Sequence, residues 1–269
     1  MGTDSDVFTG EGNNLGDGST VSLNGPVSVG FNTINKDVYV TSITGSSIRK
    51  VVWKQGKTTT LIGSTTGWAP GLVDGPDPNT ARLAGPAGLI FRNLGTNKVY
   101  ICIGDRMNHR VRLMDMTTSA VTTWAGTSSG STTNVDRLAC SFDQPMGVAY
   151  MTSIVYVAEY TNNRIARLSF VSNAASVLLS GPSTTQPVAV EGYRGKIFFT
   201  MNGRNQFFVV DIYSGNWFVF LGGAYGYSVT AGSVAFNYVY GVAIDCVRKS
   251  IFVAEYTGCI VKEVKLGPL

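Results

Sequence analysis

Histidine is almost missing: His109 is the only one in 269 residues. Multi-histidine zinc sites, Ser-His-Asp triads and Cys-His dyads would all have to share that one imidazole, so most hydrolytic and zinc chemistry lacks its side chains. Cysteine is sparse too. Cys102, Cys140, Cys246 and Cys259 show no CxxC and no zinc-like spacing, and four in a chain this long do not make a disulfide scaffold. Charge is low: 21 basic and 17 acidic residues leave a net +4, too mild by itself to indicate nucleic acid or an anionic membrane. No asparagine opens an N-x-Ser/Thr sequon, so no N-glycan is needed. The opening MGTDSDVFTGEGNNLGDG has neither the basic nor the apolar region of a signal peptide, as would also hold for an excised ectodomain. The longest charge-free stretch, Ile212 to Ile244, is interrupted throughout by Gly, Ser, Thr and Asn, which argues against a membrane helix. No membrane insertion is expected.

What remains is 44% hydrophobic residues and 32 Gly against 9 Pro, too apolar for disorder and too aperiodic in glycine for collagen. A strand-and-turn protein is expected, with room for one large all-β domain over residues 1–269. Internal repetition sharpens this. Five copies begin at Pro26 (GPVSVGF), Pro86 (GPAGLIF), Pro145 (QPMGVAY), Pro187 (QPVAVEG) and Val239 (YVYGVAI), at spacings of 60, 59, 42 and 52 residues. Each continues with a second apolar strand such as KVYICIG or IVYVAEY, a polar loop and a third strand. Four of them then show a fourth strand: TTTLIG, AVTTWAG, SVLLSG and NWFVFLGG. Four short antiparallel strands per repeat read as blades of a β-propeller. The fifth copy stops after its third strand, and VFTGEGNNLGDGS near the N-terminus matches the fourth-strand-plus-loop pattern. The N-terminal strand, Val7 to Gly12, is therefore expected to complete the C-terminal blade and close the ring.

The segments VYICIGDRMNHRVRLMD and VYVAEYTNNRIARLS resemble the NHL repeat, named for its Asn-His-Leu signature. Asn108, His109 and Arg110 fall on the motif, Asn162, Asn163 and Arg164 on its second occurrence, and the other copies are degenerate. The resemblance spans nearly the whole chain and implies a propeller. Such propellers commonly have six blades, but the linkers here leave no room for a hidden one; five blades are expected, with six as the alternative.

In a four-stranded antiparallel blade, the loop between the second and third strands emerges at the same end as the link to the next blade. One face should therefore collect the long links 10–25, 63–85, 126–144 and 222–238 together with the loops 43–47, 104–109, 159–163, 201–205 and 255–259, where recognition usually resides. The candidate ligand-binding residues on it are Tyr225, Tyr227, Trp68, Tyr160, Tyr256, Arg106, His109 and Arg204. Asp105, Glu159 and Glu255 lie among them and would oppose phosphate, which places the RNA-binding use that the resemblance admits behind a protein ligand. The Asn-His-Arg residues are expected mainly to satisfy loop backbone groups, and Glu159 and Glu255 to form ion pairs between blades rather than to ligate calcium.

The leading expectation is a non-catalytic scaffold that recognises a protein or peptide through the loop face, with the aromatic, uncharged segment 222–238 as its principal surface and a homo-oligomer contact as that patch's other use. A receptor or sensor ectodomain is one version, because low charge and Ser, Thr and Gly richness favour an extracellular or cell-surface location. RNA binding is the alternative. A calcium-dependent hydrolase or lactonase-like propeller is the second alternative, for which no convergent set of asparagines was found. The zinc histidines that the resemblance implies for amidating lyases are missing. No catalytic residue, metal or cofactor is expected.

Overall fold

The computed structural model describes residues 23–52, 57–63, 69–93, 95, 98–133, 135–181, 186–202, 204–222, 229–230, 233–234, 236, 238–255 and 260–265. The fold is all-β, a propeller of five blades, as expected from the five copies. Blade 1 comprises β1 (Pro26–Phe31), β2 (Val38–Ser42), β3 (Ser47–Val52) and β4 (Lys57–Ile62); blade 2 comprises β5 (Pro86–Asn93), β6 (Val99–Asp105), β7 (Arg110–Asp115) and β8 (Val121–Ala125). The short β9 (Val135–Asp136) precedes blade 3, which is β10 (Pro145–Met151), β11 (Ile154–Glu159), β12 (Arg164–Ser169) and β13 (Ala174–Ser180). Blade 4 is β14 (Pro187–Tyr193), β15 (Lys196–Met201), β16 (Gln206–Asp211) and β17 (Trp217–Gly222). A separate pair, β18 (Val229–Thr230) and β19 (Ser233–Val234), leads to blade 5: β20 (Val239–Asp245), β21 (Ser250–Glu255) and β22 (Ile260–Lys265). Within each blade, consecutive strands pair antiparallel in chain order. Blade 5 has three strands among the described residues; its expected fourth, Val7 to Gly12, lies outside them.

The repeat extends to the irregularities. The first pair of strands slips register at the same place in every blade, after Pro26, Pro86, Pro145, Pro187 and Val239. In four of the five blades the slip follows a proline, which removes a ladder donor, and in all five the third residue is small (Ser28, Gly88, Gly147, Ala189 and Gly241), which lets neighbouring first strands approach. At Gly147 a Cβ would lie 2.6 Å from the Val188 carbonyl oxygen, which only glycine avoids.

The chain forms two compact units, residues 1–130 with blades 1 and 2 and residues 131–269 with blades 3 to 5. In the first unit the core lies between two sheets, where Tyr39, Ile48 and Ile62 of blade 1 meet Leu89, Ile101 and Met114 of blade 2. In the second, Tyr156 and Ile165 of blade 3 pack with Val190, Phe199 and Phe208 of blade 4, whose other face packs Phe198, Phe207 and Val209 against Val239, Ile251 and Val253. Central strands buried on both faces explain why the second strand of each copy reads as an almost continuous apolar run instead of alternating.

A threonine one residue before the end of the second strand ties blades together. The Thr41 hydroxyl accepts from Ser28 N (3.0 Å) and donates to Ala87 O of blade 2 (2.6 Å). Thr200 repeats this, accepting from Ala189 N (3.1 Å) and donating to Tyr240 O of blade 5 (3.2 Å). Blades 2, 3 and 5 have Gly104, Ala158 and Ala254 there, and in those blades the next residue is an acid.

A candidate ligand-presenting face built on buried carboxylates

Those acids are the last residues of the second strands. The Asp105 carboxylate is fully buried. It accepts from Ala84 N (2.8 Å), from Asn108 Nδ2 (2.8 Å) and from Arg112 of β7 (2.9 Å). The same guanidinium donates to Val73 O (2.9 Å), Arg82 O (3.0 Å) and Asp74 Oδ1 (2.6 Å), all in the link 63–85. Asn108 adds a bond to Gly71 O (2.8 Å). One carboxylate thus fixes the 3₁₀ turn Arg106–Asn108, the third strand and the long link at once.

Blade 3 repeats the device with different spacing. Glu159 accepts from Arg164 Nε (2.5 Å) and from its terminal nitrogen (3.0 Å), from Asn162 Nδ2 (2.6 Å) and from Asp143 N (3.4 Å). Arg164 continues to Ser131 O (2.7 Å) and Ser141 O (3.2 Å) in the link 126–144. In blade 5, Lys262 Nζ lies 2.5 Å from Glu255 Oε1. Burial is the main influence on Asp105 and Glu159 and pushes both carboxyls up. For Asp105 the bonds from Asn108, Ala84 and Arg112 pull the other way, and for Glu159 those from Arg164, Asn162 and Asp143.

Two expectations are thereby refined. The ion pairs of Glu159 and Glu255 lie within single blades, not between blades, because antiparallel pairing brings the start of the third strand beside the end of the second. Both Glu159 oxygens are bonded to Arg164 and Asn162, so the carboxylate serves the loop instead of a calcium ion. The motif residues satisfy backbone as expected: Arg110 donates to Asn108 O (2.5 Å) and Thr127 O, and His109 takes a left-handed turn conformation (φ 56°).

Of the candidate contact residues, Arg106 and His109 sit together, half-buried, on the blade 2 loop. Tyr160 and Arg204 belong to the second unit; the Tyr160 hydroxyl accepts from Asn202 Nδ2 (2.8 Å), so it braces blade 3 on blade 4, while Arg204 is exposed. Trp68, Tyr225, Tyr227 and Tyr256 lie outside the described residues. Sequence reasoning did not single out Arg112 or Lys262. Their signal was present, because Arg49, Arg112 and Lys262 each stand third in the third strand. It also passed over the exposed Leu72, Val73 and Met107 beside the clamped link. Cys102 is buried, which pushes its thiol up to about 12 and leaves it unreactive.

No family model matches the chain. Two curated relatives do, each named NHL repeat-containing protein 2: the human protein is 30% identical over 153 residues and the bovine one 30% identical over 150, each match covering 52% of this chain and 20% of the relative. The match therefore spans about a fifth of the length of those relatives. Among solved structures, a nidogen/laminin complex chain superposes with a TM-score of 0.63 at 14% identity, covering 90% of this chain and 76% of that one. A protein of unknown function from Bacteroides thetaiotaomicron gives 0.63 at 14%, covering 95% and 58%. Virginiamycin B lyase from Staphylococcus aureus gives 0.50 at 13%, covering 91% and 71%. These likenesses show the fold, and a fold shared with a lyase does not separate binding from catalysis.

Two outcomes follow from the buried charges. Arg112→Met leaves Asp105 buried without its cation and should cost roughly 3–5 kcal/mol in urea unfolding, partly recovered by adding Asp105→Asn; a loss below about 1 kcal/mol would contradict the clamp. Glu191, on β14, is pushed by burial up to about 7, against a bond from Gly192 N. Because its folded value lies above its free value, its contribution is fully present below the ordinary carboxylate range and is lost as pH rises through about 7. Between about pH 4 and pH 8 the wild type should lose on the order of 1–3 kcal/mol relative to Glu191→Gln, and parallel stability profiles would refute this.

Proposed function

We infer that this chain, which belongs to the NHL-repeat β-propellers, is a non-catalytic binding module that recognises a protein or peptide through its loops. The observation that supports this reading is where the repeated acids, Asn and Arg go. Arg112 and Arg164 spend their donors on buried carboxylates and on carbonyls of the links 63–85 and 126–144. The side chains with most chemical capacity in these loops thus hold the loops still, and rigid loops bind at lower entropic cost. Among their polar residues the fixed links turn several large apolar side chains outward: Leu72 and Val73, with Met107 beside them, in the first unit, and Leu138 with Val135 in the second. Apolar residues on a fixed loop suit a protein surface better than a phosphate backbone. Likeness to a chain of the nidogen/laminin complex, itself an assembly of proteins, points the same way. Tyr225, Tyr227, Trp68 and Tyr256 would extend the surface with aromatic anchors, Arg106, His109 and Arg204 would rim it, and low charge suits display outside the cell.

Affinity capture from matched lysate and cell-surface fractions would compare the wild type with Tyr225→Ser/Tyr227→Ser and with Leu72→Asp/Met107→Asp, each of unchanged melting temperature. The expected result is a protein retained by wild type and lost with at least one variant. Retention of RNA alone, or an identical protein profile with all three, contradicts the reading.

A further inference from the structure

The link 63–85 is anchored at several points besides the Arg112 clamp. Gly75 N donates to Val121 O (3.0 Å) and Val121 N to Gly75 O (2.8 Å), which lays the link on the edge of β8, as residues 126–144 lay β9 along β13. Within the link Gly71 N donates to Leu83 O (3.0 Å) and Val73 bridges to Arg82. Met107 N donates to Ala84 O (2.9 Å), so the 3₁₀ turn of blade 2 sits directly on the link.

This anchoring decides which side chains share the surface. Val73 and Arg82 face each other across an antiparallel bridge and project on the same side. A Cβ on Gly71 would lie 3.2 Å from Arg82 Cβ, so the arginine stem runs over that glycine beside Val73. A Cβ on Gly85 would lie 3.0 Å from Met107 Cγ and 3.4 Å from Ile43 Cγ1, so Met107 and Ile43 meet over the glycine between blades 1 and 2. Leu72, Val73 and Met107 are 43%, 45% and 58% exposed.

Charge is unevenly answered around them. Arg112 takes both Asp74 and Asp105. Arg82 and Arg110, half-buried, are left with backbone: Arg82 donates to Asn79 O (2.7 Å) and Ala81 O (2.9 Å), and Arg110 to Asn108 O (2.5 Å) and Thr127 O. Among the described residues neither forms an ion pair. Asp77, the other acid of the link, accepts from Asn79 N and Nδ2 inside its own turn. A guanidinium has five N–H donors, so both arginines keep donors that no carboxylate answers.

We propose that this surface binds a short acidic and apolar stretch of a partner protein, its apolar side chains resting on Leu72, Val73 and Met107 and its carboxylates reaching Arg82 and Arg110. The proposal rests on the reading of the chain as a protein-binding module and names the chemistry of the partner. Charge complementarity selects the occupant, because a carboxylate answers a half-buried guanidinium with a bidentate, charge-assisted bond that a neutral or basic segment cannot make. A phosphate chain would answer the arginines, but Leu72 and Val73 offer no ring on which a base can stack.

The test is fluorescence anisotropy with the full chain and a fluorescein-labelled peptide, Gly-Glu-Glu-Leu-Phe-Glu-Glu-Gly. It should bind with a Kd on the order of 10–100 µM at about 50 mM salt and at least about fivefold more weakly at about 300 mM. Replacing its Glu by Lys, or its Leu-Phe by Ser-Ser, should weaken binding at least about fivefold, as should Arg82→Gln/Arg110→Gln and Met107→Ser in the chain, whereas Arg248→Gln in the second unit should change nothing. No binding, equal binding of the lysine peptide, or unchanged affinity in both folded site variants overturns the proposal, and so does a labelled oligouridylate that binds where the peptide does not. If the variants fail to fold, methyl-labelled methionine spectra of the wild type decide: the Met107 signal, assigned with Met107→Leu, should move on adding peptide, and a signal that stays put overturns the proposal. A protein captured by the wild type while the peptide fails to bind overturns this proposal alone and leaves the binding-module reading standing.

Discussion

The arrangement of loops in this protein depends on one interaction, a buried carboxylate at the end of a blade's second strand that is saturated by a guanidinium and an asparagine amide. Taking both charges out of water costs several kcal/mol per ion, and the cost is recovered only where every lone pair and donor finds a partner. Asp105 and Arg112 meet that condition in all but Arg112 Nε by drawing in Ala84 N, Asn108 and two carbonyls of the preceding link; Glu159 and Arg164 meet it with Asn162, Asp143 N, Ser131 O and Ser141 O. Satisfying the charge and fixing the link are therefore one requirement. A link that peeled away would strand the guanidinium.

The blades that lack the acid solve the same geometric problem more cheaply. Blades 1 and 4 end the second strand in Ser42 and Met201, and the preceding threonine hydroxyl bridges its own first strand to that of the next blade. A neutral hydroxyl has little desolvation cost but also little reach, so it ties strand to strand without gathering a loop. Blade 4 has no such clamp among the described residues and only a short link before it. It is packed by aromatic rings on both faces, Phe198, Phe207 and Phe220 in contact on one and Phe199, Phe208 and Trp217 on the other.

Much of this was legible in the amino-acid order. The starts with a small third residue, four of them opened by proline, and the apolar second strands recur with enough fidelity to place all five blades, because bulge and burial constrain those positions alike in every copy. Glu159 and Glu255 were visible as a repeated acid. Their partners were harder to see, since blade 3 takes its cation from the first residue of the third strand while blades 2 and 5 take it from the third residue, and only the fold shows that both positions reach the same carboxylate. The short spacing before Pro187 was equally plain, yet its meaning needs the knowledge that the longer links supply edge-covering strands. Ring closure by Val7 to Gly12 and the aromatic residues Tyr225 and Tyr227 fall outside the described residues.

The central claim, that buried carboxylates hold the long links as firmly as the strands, is tested most directly by amide hydrogen exchange. Ala84 N and Met107 N, bonded to Asp105 Oδ1 and Ala84 O, and Thr132 N and Ser141 N, bonded across the second clamped link, should exchange as slowly as the amides of β6 and β11. Exchange at these amides near the rate of an unprotected chain, with β6 and β11 still protected, would mean that the links move freely and that the clamps do not set the loops.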